Sequence, residues 1–282
     1  MTFAELLKVV LLGIVEGITE WLPISSTGHM LLVDEFIQLD LSEQFKEMFF
    51  VVIQLGAIIA VIVLFWDKMC PFDFAGKYRS FVRKDVFSVW FKTAVACIPG
   101  AVVTLLFDDY IEAHFHTPFV IALMLILYGV AFIVIESRGR KALPHIRNIN
   151  NIGYDTALMI GLFQVLSIIP GTSRSGATII GALIIGVSRV AAAEFTFFLA
   201  VPVMFGLSAI KLIKFGLSFT GSELAVLLIG MLVAFTTSVI VIKFLMNYIK
   251  RHDFKAFGIY RILLGLIVIA YFIIFKSPEA LF

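Results

Sequence analysis

Between Gly221 and Met246 the chain reads GSELAVLLIGMLVAFTTSVIVIKFLM, with Glu223 and Lys243 as the charged side chains in 26 residues. A helix rises about 1.5 Å per residue, so about 20 such residues cover the roughly 30 Å hydrocarbon core of a bilayer. Nothing else constrains the fold as strongly, because the run recurs. Ten helical segments are expected, at 2–21, 24–37, 47–66, 88–107, 118–136, 154–168, 173–187, 193–214, 222–247 and 256–275. The third, fourth, fifth, eighth, ninth and tenth are long enough to cross. Composition agrees: 61% of residues are hydrophobic and 15% charged, against about 45–50% and about 25% in soluble domains. A β-barrel would show short alternating segments in place of long continuous runs. The first segment, MTFAELLKVVLLGIVEGITEWL, lacks a basic start and leads into charged residues, so it does not read as a signal peptide.

Four segments are short and broken by polar turns: the first pair at PISS and the sixth and seventh at PGTS. Broken backbone at membrane depth survives only where it is buried in protein or lines a wet cavity. Short, interrupted apolar pairs at corresponding places in two halves mark a site between inverted repeats. Sliding the chain by 148 residues sets GIVEGITEWLPISSTGHMLL on GLFQVLSIIPGTSRSGATII, with Gly13 on Gly161, Glu16 on Gln164, Ser25 on Ser173, Thr27 on Ser175 and Gly28 on Gly176. The expected fold is an all-α polytopic membrane protein. It has two inverted repeats of five helical segments, each with a re-entrant helix hairpin, giving six full crossings plus two re-entrant pairs. It forms one integral membrane domain over 1–282, with halves 1–136 and 154–275 and a basic cytoplasmic linker at 137–153.

Charge supports this topology through the positive-inside rule. Lys68, Lys77, Arg79, Arg83, Lys84 and Lys92 fall in one linker, Arg138, Arg140, Lys141 and Arg147 in another, and Lys250, Arg251 and Lys255 in a third. The loop at 108–117 instead holds Asp108, Asp109 and Glu112 with no Lys or Arg. With both hairpins re-entrant, the basic loops share one side, both termini lie outside, and the hairpin tips meet mid-membrane; Lys211 and Lys214 depart mildly from the pattern. The net charge of +2 and the absence of a basic tract give no sign of a nucleic-acid partner. Cys70 and Cys97 fit neither a disulfide framework nor a metal spacing and read as packing residues.

The polar residues at the two tips carry the chemistry. Glu16 and Glu20 are four apart and share a helical face. Two neighbouring carboxylates at membrane depth call for a balancing cation, and a hard divalent ion, Mg²⁺ or Ca²⁺, suits oxygen ligands. The alternative is hydrogen bonding to neighbouring helices. Ser25, Ser26 and Thr27 follow Pro23 and can cap the next helix, and His29 lies three residues beyond Ser26, so either capping or a nucleophile–base pair is open. At the second tip Gly171, Thr172, Ser173, Arg174, Ser175 and Thr178 open a helix. Its free N–H groups, helix dipole and guanidinium together suit an anion; a salt bridge from Arg174 to Glu16 or Glu20 is the competing reading. A phosphate-bearing substrate with a bound metal satisfies both tips. Gln54 is read as an interhelical contact or a cavity-lining group. Glu194 complements a helix dipole, His114 and His116 sit in the outer loop, and Arg261 snorkels near a helix end.

EGITEWLPISSTGHM and PGTSRSGAT resemble the two signature regions of the bacterial undecaprenyl-diphosphatase family, associated with bacitracin resistance, and the similarity runs through essentially the whole chain. The resemblance implies an inner-membrane phosphatase that depends on a divalent cation. It would convert undecaprenyl diphosphate to undecaprenyl phosphate, recycling the carrier for cell-wall synthesis, with a site open to the periplasmic side. It also implies metal-binding carboxylates at Glu16 and Glu20, catalytic roles for Ser26 and His29, and phosphate binding along Pro170 to Ser175 with Arg174 and Thr178 as contacts; taken with the chemistry of the tips, Glu20 and Arg174 are expected to share in catalysis and Ser25 and Thr27 in holding the phosphate. The expected partners are a prenyl diphosphate lipid and membrane lipids; a homodimer is left open. The competing class is a lipid-phosphate transporter or flippase built on the same inverted-repeat site, which would move substrate without releasing phosphate.

Overall fold

A computed structural model describes residues 2–78, 80–139, 144–216 and 218–276. The described residues fold into twelve α-helices: α1 (Phe3–Thr19), α2 (Ser26–Phe36), α3 (Glu43–Val52), α4 (Gln54–Leu64), α5 (Trp66–Met69), α6 (Lys84–Phe115), α7 (Pro118–Gly139), α8 (Tyr154–Val165), α9 (Arg174–Ile185), α10 (Arg189–Phe215), α11 (Gly221–Ile249) and α12 (Lys255–Tyr271). Among the described residues the only β pairing is two isolated bridges, Phe72 with Val82 and Ile146 with Val187. Among the described residues six stretches are long and apolar enough to cross a membrane: Glu43–Leu64, Lys84–Phe107, Pro118–Arg138, Arg189–Phe215, Gly221–Ile249 and Lys255–Lys276. They coincide with the six long segments of the sequence. The protein is therefore a multi-pass membrane protein, and its outward-facing Leu106, Ile213, Leu232 and Ile240 are more than 60% exposed, as lipid-facing side chains should be.

Local chemistry sets the helix ends. Thr220 and Glu223 close a capping box at the start of α11, and Gly186, at φ +93°, ends α9 in the left-handed region. The crossing expected at 47–66 starts earlier, at Glu43 with Ser42 as its cap, and is interrupted at Ile53 between α3 and α4. The loop expected at 108–117 is not a loop through most of its length. α6 continues to Phe115, because no glycine or proline interrupts 101–117 and the polar residues there are compatible with another two turns of helix. Of the basic residues expected to mark the inner side, Arg79, Arg140 and Lys141 lie outside the described residues.

Small residues bring the helices into contact. α1 lies against α11 and α8 against α6. At Gly13 a Cβ would stand 2.9 Å from the carbonyl oxygen of Gly230, and at Gly161 it would collide with the backbone of Ala96. Close backbone approach over small residues is the usual packing device where lipid removes the hydrophobic drive between helices. The main core gathers Trp21, Phe195, Phe197, Phe198 and Phe132, with Trp21 edge-on to Phe197 at 5.3 Å.

Candidate active site

The two broken segments place their turns side by side. α1 ends at Thr19 with Glu20 as its C-cap, and α2 begins at Ser26 after the turn Trp21–Ser25. α8 and a short 3₁₀ turn, Leu166–Ile168, lead to Gly171 at φ +89° and then to α9 at Arg174. Ser25 and Ser173 cap α2 and α9 with their side chains, each accepting from the N–H three residues on, Gly28 or Gly176. They are the two non-glycine residues with positive φ among those described, at 74° and 72°. Such a conformation costs on the order of 1–2 kcal/mol for an L-residue, and strain of this kind concentrates at functional sites.

Glu20 joins the two turns. Its Oε2 accepts from Ser26 Oγ at 3.0 Å and its Oε1 from Arg174 Nη2 at 3.0 Å. The carboxylate and guanidinium side chains are 9% and 11% exposed, so this ion pair is largely removed from water. Ser175 Oγ donates to the main-chain oxygen of Glu20 at 3.3 Å, a second tie between the turns. Arg174 also reaches the carbonyl of Thr196 at 3.3 Å. Thr178 Oγ1 lies 2.9 Å from Thr196 Oγ1 and donates toward the carbonyl of Arg174 at 2.9 Å, bracing Arg174 from behind. Ser173 Oγ is 3.1 Å from Ser175 Oγ.

These groups stand at the wall of a cavity of about 450 Å³, to which Glu20, Ser26, Thr27, Gly171, Ser173 and Arg174 contribute. The opposite wall comes from α6 and α10, with Gly100, Leu105, Val203 and Leu207, and Gln54 and Gln164 add polar groups. Gln54 is thus a lining residue. Both α2 and α9 present N-terminal residues to this space, and two helix N-termini beside a guanidinium are an arrangement suited to an anion.

The other expected residues lie differently. Glu16 is buried outside the cavity wall, with Oε1 lacking a hydrogen-bond partner, and Gln164, 148 residues on, has an unpartnered Oε1 as well. Thr172, Ser175 and Thr178 sit behind the wall, with the Thr172 hydroxyl unpartnered. His29 does not bond Ser26. Its Nδ1 is 2.7 Å from the Ser25 carbonyl and its Nε2 is 2.7 Å from Tyr260 Oη, with the two rings stacked at 5.5 Å. A carbonyl only accepts, so Nδ1 carries the proton and the neutral ring accepts at Nε2 from the Tyr260 hydroxyl. Glu194, expected to serve a helix dipole, receives Lys68 Nζ at 2.5 Å. Cys97 lines the cavity, whereas Cys70 is buried.

Arg261 departs most from expectation. It does not snorkel; it is 0% exposed. Its guanidinium donates to the carbonyls of Pro23 at 3.2 Å, Gly171 at 2.8 Å and Thr172 at 2.9 Å, and more distantly to those of Leu125 and Met124 at 3.4 Å. A residue on the last helix thereby touches both turns, a role that sequence spacing could not reveal because the partners lie 89 to 238 residues away.

Among the described residues no group of three or more His, Cys, Asp and Glu side chains could cage a metal ion. The donors present are Glu16, with its orphaned oxygen, and Glu20. Mg²⁺ takes one or two carboxylates and completes its shell with water and substrate phosphate oxygens, whereas Ca²⁺ takes six to eight oxygen ligands. Two carboxylates match the number of protein ligands in the former pattern, although both Glu20 oxygens already bond Ser26 and Arg174.

A family described as "Bacitracin resistance protein BacA" matches residues 9–267. A protein of Enterococcus faecalis named undecaprenyl-diphosphatase is 70% identical over 269 residues, covering 95% of this chain and 98% of the relative. Proteins of the same name from Lachnoclostridium phytofermentans and Desulfitobacterium hafniense are each 60% identical, over 97% and 96% of this chain and 99% and 98% of their own lengths. On a match of this extent, the chain belongs to the bacitracin resistance protein BacA family.

Proposed function

We propose that this protein hydrolyses undecaprenyl diphosphate to undecaprenyl phosphate and inorganic phosphate, recycling the lipid carrier of cell-wall synthesis and so conferring bacitracin resistance. One observation carries the site assignment: the Glu20 carboxylate bonds Ser26 on one turn and Arg174 on the other, at the wall of a single cavity. The relatives' name supplies the substrate. The diphosphate lies against the N-termini of α2 and α9, and the prenyl tail leaves along the apolar wall between α6 and α10, where Leu105 is 79% exposed.

The chain's own groups account for the chemistry. Arg174 and the N–H groups at the start of α9 hold non-bridging phosphate oxygens. Ser26 Oγ attacks the terminal phosphorus as Glu20 Oε2 takes its proton. The bond from that phosphorus to the bridging oxygen breaks, and undecaprenyl phosphate leaves with the electron pair. A water then attacks the phosphoserine phosphorus as its bond to Ser26 Oγ breaks; Glu20 returns its proton to that oxygen, and both hydrogens of the water leave on the inorganic phosphate. His29, through the Ser25 carbonyl and Tyr260, holds the turn that carries Ser26. Glu16 and Glu20 would hold the divalent cation, whose chemistry is to neutralise charge developing on the phosphate.

The architecture proposed with this function is two inverted repeats, each with one re-entrant hairpin. Three candidate spans fall in each half, and Ser25 and Ser173 share one unusual backbone conformation. Gly13 packs on α11 as Gly161 packs on α6. Where α7 meets α12, Gly258 faces Gly129 and Gly265 faces Ala122, the paired contacts a pseudo-twofold axis produces. The site then opens to the periplasmic side of the bacterial inner membrane. Protein purified in detergent, given a long-chain prenyl diphosphate and Mg²⁺, should release phosphate, and Ser26→Ala should lower release by at least about a hundredfold. Tight binding without release would instead favour a transporter.

A further inference from the structure

A guanidinium with no exposure to solvent is a costly side chain to place on α12. Burying a cation is unfavourable unless its donors are satisfied and its charge compensated. Arg261 obtains its bonds from main-chain carbonyls alone, and the Tyr128 ring lies 5.6 Å from its centre. An apolar residue of similar size could pack there without that cost, so packing alone does not account for an arginine.

The carbonyls it takes do. Pro23 lies in the turn between Glu20 and Ser26, and Gly171 and Thr172 lie in the turn immediately before Arg174. Nη1 bonds the first turn and Nη2 bonds the second. The planar fork fixes the separation of those two nitrogens, so the guanidinium acts as a rigid spacer between the turns; an ammonium on a flexible stem cannot. The spacing it sets is the one across which Glu20, bonded to Ser26 on its own turn, reaches Arg174 at 3.0 Å. On the far side the second turn is pressed onto α7, where a Cβ at Gly171 would stand 2.5 Å from the Ile121 carbonyl oxygen. The turn is thus gripped between α7 and Arg261.

We propose that Arg261 is a positioning residue for phosphate release, holding the two polar turns in register through their main-chain carbonyls without touching the substrate. Misplacement of reacting groups by about 1 Å costs on the order of a hundredfold in rate. Losing the clamp should therefore act on turnover more than on binding, since the lipid tail and Arg174 remain.

The test uses full-length Arg261→Lys and Arg261→Leu in detergent, with wild type and Ser26→Ala as references. For each, kcat and KM for phosphate release from a prenyl diphosphate with Mg²⁺ are normalised to protein that is monodisperse on size exclusion and melts cooperatively. The expected result is a kcat lower by about thirty- to hundredfold in folded Arg261→Lys, with KM within about threefold of wild type. Retaining the charge without the fork would not rescue it. Near-normal kcat in either folded variant would overturn the proposal. So would a loss that merely tracks the unfolded fraction, a loss expressed in KM alone, or a failure of both variants to fold, any of which would leave Arg261 with a structural role only.

Discussion

If Glu20 takes the proton of Ser26, the two residues form one catalytic unit and their removals cannot be independent. Ser26 Oγ and Glu20 Oε2 are 3.0 Å apart, and the Glu20 side chain is 9% exposed, so bulk water is a poor substitute for the carboxylate. Glu20→Gln keeps the shape and an oxygen for Arg174 but cannot act as base. General-base catalysis contributes about 10²–10⁴-fold, or roughly 3–5 kcal/mol at about 1.4 kcal/mol per decade. Ser26→Ala removes the nucleophile and should lose at least as much. The assay is a double-mutant cycle on kcat for phosphate release by wild type, Glu20→Gln, Ser26→Ala and the double variant. The double should be no slower than the slower single, giving a coupling energy of about 3 kcal/mol or more, because a base without its nucleophile has nothing to activate. A double variant slower by the product of the two single losses would refute the shared role. That outcome would leave Glu20 acting on substrate or cation independently of Ser26.

Four other outcomes are expected. Gly161→Ala should destabilise the protein by about 1–3 kcal/mol, because its Cβ meets the Ala96 backbone, whereas Gly206→Ala, with nothing within 4 Å, should be neutral or gain up to about 1 kcal/mol; thermal unfolding in detergent measures both. Arg189→Ala should lower stability by about 2 kcal/mol, since Glu136, 4% exposed, loses both bonds from that guanidinium and keeps only the Phe254 N–H, and denaturation at neutral pH checks this. Chelation of divalent cations should stop phosphate release with little change in melting temperature, because the described residues contain no metal cage on which the fold could depend. Tyr260→Phe removes the donor to His29 Nε2 and should lower kcat less than tenfold, an effect of about 1 kcal/mol on a positioning contact, read in the same phosphate assay.

Hydropathy located the helices well because bilayer-crossing runs need no tertiary information: each of the six long segments corresponds to a candidate span. The polar turns were legible for the same reason in reverse, since Glu20, Ser26 and Arg174 have no inexpensive place in an apolar chain. Pairings were harder to read. Ser26 and His29 are spaced for a common helical face, yet Ser25 ends its turn with φ 74°, the imidazole bonds the Ser25 carbonyl and Tyr260, and the serine turns toward Glu20. Arg261 was misread because its position near a helix end suggested solvent, while its carbonyl partners are main-chain atoms with no residue-type signature. The extension of α6 past Phe107 was missed because polar residues close to a membrane edge look the same in a loop as in a helix that projects from it.

The 148-residue offset then explains why the chemistry sits where it does. It sets Ser26 on Arg174, so nucleophile and anion holder occupy the same backbone position in the two proposed repeats, the first helical residue after a serine cap at φ 74° or 72°. The same kind of serine cap in both halves delivers two helix N-termini to one space, but two identical side chains could not make a phosphatase. The halves therefore differ at the positions that react. Glu20 corresponds to Ile168, Glu16 to Gln164, and Ser26 to Arg174, which places the carboxylates in one half and the guanidinium in the other. On the proposed repeat, symmetry would supply the strained scaffold and its breaking the opposite charges of Glu20 and Arg174, which meet at 3.0 Å. Restoring the symmetry by Arg174→Ser would leave Glu20 a buried carboxylate without its cation and remove the phosphate's partner in the same step, so it should abolish turnover even though the repeat itself tolerates serine at that turn.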